Sequence, residues 1–210
     1  MEHAFWHQRW ERSEIAFHEG APNKLLLKHF SALALPEGSA VFLPLCGKTR
    51  DIHWLLSRGY KVVGAELNAL AVEQLFAELN VTPAKSAEGT LTRYAAAGVD
   101  VLQGDIFDVT AEMLGRVDLI YDRAALVALP PDMRTRYAQH IVELCGRTPQ
   151  FLITFTYDQA VMPGPPFSVP DEEVACLYAG AYGIALLERT DVAGGLKGKC
   201  PATENAFLLR

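Results

Sequence analysis

The chain has 210 residues, of which 50% are hydrophobic and 21% charged, a mix that supplies one sizeable core and excludes a mostly disordered or fibrous protein. Asp and Glu number 25 against 19 Lys and Arg, a formal charge of −6. The counterion-release attraction to nucleic acid is therefore missing, and an anionic membrane is an equally poor partner.

The opening stretch MEHAFWHQRWERSE lacks the basic-then-apolar order of a signal peptide. No run along the chain approaches the roughly 18 apolar residues of a membrane span, so a cytoplasmic protein is expected. Residues 3–18 and 22–34 read as two helices that form an N-terminal lid, 1–36, ahead of a sheet core, 37–210. No repeat or linker divides this single domain, 1–210. Strands are predicted at 39–45, 60–67, 99–105, 117–123, 150–157, 184–192 and 205–210, seven in all, alternating with helices at 48–58, 68–79, 131–145 and 170–182. In the first of these helices Ile52, Leu55 and Leu56 share one face and Gly59 marks the stop. Asn68 suits the N-cap of the second, and Pro131 the first turn of the third. The final two strands are joined by a loop too short for a crossover helix, so they pair antiparallel. The expected architecture is α/β and Rossmann-like: a seven-stranded, mostly parallel sheet with an antiparallel last strand and helices on both faces. This is the plan of the class I methyltransferases, although such sheets host many chemistries.

Ligands of open α/β sheets bind at the carboxyl ends of the strands, where strand order reverses. The first strand ends in FLPLCGKTRD and the second in Glu66, close to the roughly 20-residue interval that sets an acid on a ribose. A carboxylate accepts hydrogen bonds from both ribose hydroxyls. The single glycine of PLCGK offers a pyrophosphate few close amides, which favours S-adenosylmethionine over a nicotinamide dinucleotide. The third strand leads into GDIFD, placing Asp105 and Ile106 beside an adenine, with Phe107 read as core. The fourth ends in YDRAALVALP, which sets Asp122 and Arg123 at the mouth of the crevice. An Arg there needs Asp122 or a ligand as its partner. The segment MPGPPFSVPDEEV is a stiff loop on the same face, whose prolines lower the cost of enclosing a substrate. Phe5, Trp6, Trp10 and Phe17 give the lid an aromatic stripe able to exclude water. Cys46, Cys145, Cys176 and Cys200 show neither a CxxC pair nor zinc spacing, so they read as free thiols and no metal site is expected.

Taken together, WHQRWERSEIAFHE, PLCGKTRDIHWLLSRGYKVVGAEL, GDIFDV, YDRAALVALPPDMRTRY and GPPFSV strongly resemble the thiopurine S-methyltransferase family. The likeness is greatest to its bacterial branch, linked to tellurite and selenium methylation, and it runs over nearly the whole chain. The resemblance implies a metal-free enzyme that binds S-adenosylmethionine, releases S-adenosylhomocysteine and works as a monomer on a small-molecule methyl acceptor. It implies cofactor contacts at Trp10, Leu45, Glu66, Asp105, Ile106 and Arg123, and an acceptor site bordered by Phe17, Arg123, Pro165 and Pro166. The chain departs from the family pattern before its last strand. There a charged, often Arg-containing segment is replaced by DVAGGLKGKCPATENAF, where Lys197 or Lys199 substitutes in charge but not in the planar geometry of Arg.

The implied reaction is an in-line displacement on the methyl carbon. A heteroaromatic thiol is acidic enough to react as its anion near neutral pH, so alignment and water exclusion carry the catalysis. Arg123 favours the anionic acceptor, and Asp122 is read as an orienting partner of Arg123. Two rival readings are a degenerate, non-catalytic methyltransferase-like binding module and a nicotinamide-dependent oxidoreductase. The intact PLCG, Glu66 and YDR positions count against the first, and the missing glycine fingerprint against the second.

Overall fold

A computed structural model describes residues 3–15 and 18–210, and the chain divides into two compact units, Met1–Leu119 and Ile120–Arg210. In the first unit, α1 (His3–Glu11) and α2 (Lys24–His29) precede β1 (Ala40–Pro44), α3 (Arg50–Ser57), β2 (Lys61–Glu66) and α4 (Ala69–Glu78). The strands β3 (Ala84–Glu88), β4 (Leu91–Ala96) and β5 (Val99–Gln103) and a short α5 (Ala111–Leu114) follow. Its strands lie in the order β3-β4-β5-β2-β1. The central run is parallel, with Phe42 opposite Val63 and Gly64 opposite Val101, so the carboxyl ends of β1, β2 and β5 share one edge. Val41, Phe42, Leu43, Val62, Val101 and Leu102 are all buried there, the near-continuous apolar character of parallel strands covered on both faces.

The helices start and stop where their ends are chemically satisfied. The Thr49 side chain accepts the Asp51 N–H to open α3, and Asn68 accepts the N–H groups of Leu70 and Ala71 at 2.9 and 3.3 Å to open α4. Both remove orphan donors of a first turn. Of the three residues expected on one face, Ile52 and Leu55 are fully buried and Leu56 is partly buried. Beyond α3, Gly59 takes a φ of +81°, which an L side chain adopts only with strain.

The second unit opens within β6 (Leu119–Arg123) and continues through α6 (Pro131–Cys145), β7 (Gln150–Tyr157), α7 (Asp171–Tyr178), β8 (Ile184–Asp191) and β9 (Ala202–Leu209). Strand order is β6-β7-β9-β8. β6 and β7 are parallel, while β9 runs antiparallel to both β7 and β8. The short connection between the last two strands thus has the predicted outcome.

Among the described residues nine strands form where the sequence predicts seven. All seven predicted strands are present, and the two extra ones make a hairpin, with β3 antiparallel to β4 and β4 antiparallel to β5. AKSAE and LTRYAA contain few β-branched residues, and β3 is exposed along most of its length, so neither propensity nor alternation announces them. Arg93 reinforces the hairpin through Glu88 and Asp100. The helix predicted over 3–18 stops at Glu11, with Ser13 at φ +55° just beyond, and 22–34 is α2 followed by a 3-10 turn, Phe30–Leu33. Parallel strands linked by helices, ending in an antiparallel β9, constitute the Rossmann-like class I methyltransferase fold.

Candidate active site

The chemistry-bearing turn of the first unit follows β1. Leu45 and Gly47 both lie in the left-handed region, at φ +47° and +53°, so the chain curls back on either side of Cys46. For Leu45 that conformation costs about 1–2 kcal/mol, and such strain is found where a backbone must present groups to a ligand. Cys46 is buried and packs on Gly64, where an added Cβ would lie 2.8 Å from its Sγ. Burial, aided by the charge of Glu66, pushes the Cys46 thiol well up, so it is packing rather than a nucleophile.

Glu66 ends β2 and ties this turn down. One carboxylate oxygen accepts the Gly47 N–H at 2.8 Å and the other the Asn68 N–H at 2.8 Å. Burial raises the carboxyl above its ordinary value, while the N–H groups of Asn68, Gly47 and Leu67 pull it back. A carboxylate has about four lone-pair sites, so acceptor capacity remains for a ribose hydroxyl. The residues present therefore fit the nucleoside of S-adenosylmethionine. At the end of β5, Asp105 caps a 3-10 turn by accepting the Phe107 N–H at 3.0 Å, beside buried Ile106. Phe107, read as core, is only partly buried.

One face of α1 lies over these strand ends. His3 Nε2 is 3.1 Å from Asp105 Oδ2, Asn68 Nδ2 is 3.0 Å from His7 Nδ1, and the buried Trp10 indole lies 3.3 Å from where a Gly47 Cβ would stand. Positions 3, 7 and 10 are one helical stripe. Trp10 was singled out in the sequence; His3 and His7 were not, although their spacing was there to be read. Phe17 lies outside the described residues.

In the second unit Asp122 is fully buried, and its carboxylate accepts the Leu126 N–H at 3.1 Å and the Tyr137 hydroxyl at 2.7 Å. Burial pushes its carboxyl up to about 6, against the opposing pull of the Leu126 N–H, Tyr137 hydroxyl and Ala125 N–H. Asp122 thus serves the backbone that follows Arg123. What Asp122 holds is the turn in which Ala124 takes φ +65°, immediately after half-buried Arg123.

The Pro165-Pro166 segment follows β7. Tyr157 donates its hydroxyl to the Pro166 carbonyl at 2.7 Å, Gln159 donates to the Met162 carbonyl at 2.6 Å, and the Phe167 N–H donates to the Val127 carbonyl at 2.6 Å. Arg134, 1% exposed, reaches the carbonyls of Leu129 and Ser168 and the Glu173 carboxylate. These supporting residues escaped the sequence reading because their partners are remote backbone carbonyls, which leave no motif. An open groove of about 860 Å³ elsewhere on this unit is lined by Asp171, Arg189, Asp191 and Lys199. It includes none of the expected site residues, so the geometry at the strand ends, not groove size, locates the chemistry.

The model of the Thiopurine S-methyltransferase family matches residues 1–204. Among curated relatives, the Thiopurine S-methyltransferase of Xanthobacter autotrophicus is 54% identical over 100% of this chain and 99% of its own length. That of Gluconobacter oxydans is 46% identical over 97% and 92%. Among solved structures, the fold is similar to Burkholderia thailandensis 1,6-didemethyltoxoflavin-N1-methyltransferase with bound S-adenosylhomocysteine. The TM-score is 0.66 at 15% identity, over 99% of this chain and 86% of that one. Magnesium protoporphyrin IX methyltransferase from Synechocystis, also with bound S-adenosylhomocysteine, gives a TM-score of 0.62 at 12% identity over 99% of each chain. A match of this length and identity, on this fold and with a nucleoside-compatible Glu66, means that the chain is an S-adenosylmethionine-dependent methyltransferase and belongs to the thiopurine S-methyltransferase family.

Proposed function

We propose that the chain methylates the sulfur of small heteroaromatic thiols, thiopurines being the representative class, and that reduced selenium and tellurium compounds are a second class of acceptor. When bound, S-adenosylmethionine supplies a methyl group on a positively charged sulfur, open to in-line attack by the acceptor. Trp10, Leu45, Glu66, Asp105 and Ile106 hold the cofactor, with Glu66 on the ribose and Asp105 near the adenine. Arg123 contacts both cofactor and acceptor, and its guanidinium favours the thiolate over the thiol. Phe17, Pro165 and Pro166 border the acceptor. Since the thiolate arrives deprotonated, no residue is assigned as a general base. The protein acts as a monomer in the cytoplasm, in keeping with its acidic charge and family.

The observation that carries this reading is the fixed presentation of Arg123. Asp122 accepts the Leu126 N–H at 3.1 Å and so holds the turn with left-handed Ala124, which sets where β6 ends and where the Arg123 backbone lies. Methyl transfer to 6-mercaptopurine, hydrogen selenide and hydrogen telluride, read with labelled S-adenosylmethionine, tests it. The expected result is transfer to the thiol, with Arg123→Ala lowering kcat at least about 100-fold while S-adenosylhomocysteine still binds in calorimetry. Cofactor binding without transfer to any acceptor would favour a non-catalytic binding module instead.

A further inference from the structure

The segment from Pro163 to Pro166 has three prolines among four residues. Proline offers no N–H, so this turn is held chiefly through its carbonyls, by side-chain donors from elsewhere. Tyr157 and Gln159, just upstream, serve Pro166 and Met162. The Pro165 carbonyl is served from 32 residues away: Lys197 donates to it from Nζ at 2.7 Å.

The loop that delivers Lys197 is built for the purpose. Gly194, Gly195 and Gly198 all have positive φ, and Lys197 shares that conformation at φ +53°. A Cβ on Gly195 would lie 2.5 Å from the Cys200 carbonyl oxygen, and the Leu196 N–H donates to that same carbonyl at 2.8 Å, so the turn is as tight as the backbone allows. A lysine at such a tip is strained where glycine would not be. The neighbours of Lys197 root the loop: Leu196 and Cys200 are buried in one apolar cluster with Tyr157 and Met162. Loop and proline turn therefore share an apolar base, and Lys197 joins them above it.

We propose that Lys197 is a positioning residue for the acceptor wall: its ammonium straps the Pro165 carbonyl and so fixes the Pro165-Pro166 turn against which a flat heteroaromatic acceptor packs. This inference rests on the assignment of Pro165 and Pro166 to the acceptor border. Lys199, two residues on, lines the open groove and is the internal control.

The experiment compares Lys197→Met, Lys197→Arg and Lys199→Met in the full chain. Lys197→Met is expected to raise KM for 6-mercaptopurine about five-fold, the effect of losing one charge-assisted hydrogen bond. Its kcat should stay within about two-fold, the thermal midpoint and S-adenosylhomocysteine affinity should be unchanged, and Lys197→Arg should restore most of the KM. Lys199→Met should match the parent. An unchanged KM in Lys197→Met, or an equal rise in Lys199→Met, overturns the proposal. If the parent chain binds S-adenosylhomocysteine but transfers nothing to thiols, the acceptor reading has failed, and the strap is then judged by hydrogen exchange. Faster exchange at the Phe167 and Ser168 amides in Lys197→Met supports it, and identical exchange overturns it.

Discussion

The carboxylate of Glu66 and the amide of Gly47, 19 residues apart in the chain, are joined by a 2.8 Å hydrogen bond, so the side chain proposed to hold the ribose also shapes the PLCG turn. Both Glu66 oxygens already accept backbone N–H groups, from Gly47 and Asn68. A glutamine would have to aim an NH2 at one of those donors. Glu66→Gln is therefore expected to be nearly as harmful as Glu66→Ala, each weakening S-adenosylhomocysteine at least about ten-fold in calorimetry. Parent-like affinity in Glu66→Gln would mean the carboxylate does not organise the turn.

Trp10 and Gly47 should be energetically coupled. Gly47 takes φ +53°, and a Cβ there would meet Trp10 Cζ2 at 3.3 Å. Gly47→Ala therefore strains the backbone and pushes the indole, while Trp10→Ala removes the indole. In a double-mutant cycle on cofactor affinity, the combined loss should fall short of the sum of the single losses by about 0.5–1 kcal/mol or more. Strict additivity would show that α1 does not rest on the turn.

Glu66, the PLCG turn and the strand ends were legible because a parallel sheet writes its ligand edge into sequence as apolar runs that stop at polar turns. Asn68 and Pro131 were legible because helix ends demand specific chemistry. Hidden were the polar, exposed β3 and the strain at Leu45 and Ala124, since no residue type announces a left-handed alanine. Hidden too was Tyr137, whose hydroxyl, fifteen residues on, donates to the buried Asp122 carboxylate, since a pairing between a strand and a distant helix leaves no motif.

Asp122 makes stability depend on pH in a calculable direction. Its carboxyl ordinarily titrates at 3.8 and in the folded protein at about 6. Between those values the folded state holds a proton that the unfolded chain has released, so stability falls as pH rises from about 4 to about 6 and then levels. For so buried a group the span is on the order of 3 kcal/mol. Asp122→Asn keeps an oxygen for the Leu126 N–H and abolishes the titration. Urea unfolding from pH 4 to 7.5 should show the parent losing stability relative to the variant across that window. Parallel curves would remove Asp122 as the titrating group.

Arg134 should be the costliest charge in the second unit to lose. It is 1% exposed, donates to the Leu129 carbonyl at 2.8 Å and the Ser168 carbonyl at 3.3 Å, pairs with Glu173, and stacks its guanidinium 5.4 Å from the centre of the Phe167 ring. Arg134→Met fills much of the volume but strands the Leu129 carbonyl and leaves Glu173 without its partner. The expected loss is about 3 kcal/mol of unfolding free energy. Glu173→Gln should cost less, because the Glu173 side chain is 29% exposed and water screens that end of the pair. Since Arg134 also grips Ser168, next to the Pro165-Pro166 turn, its variant should raise the acceptor KM while sparing S-adenosylhomocysteine binding. Chemical unfolding and steady-state kinetics on the two variants check the order, and a Glu173→Gln loss equal to that of Arg134→Met would assign the stabilisation to the ion pair instead of the carbonyl bonds.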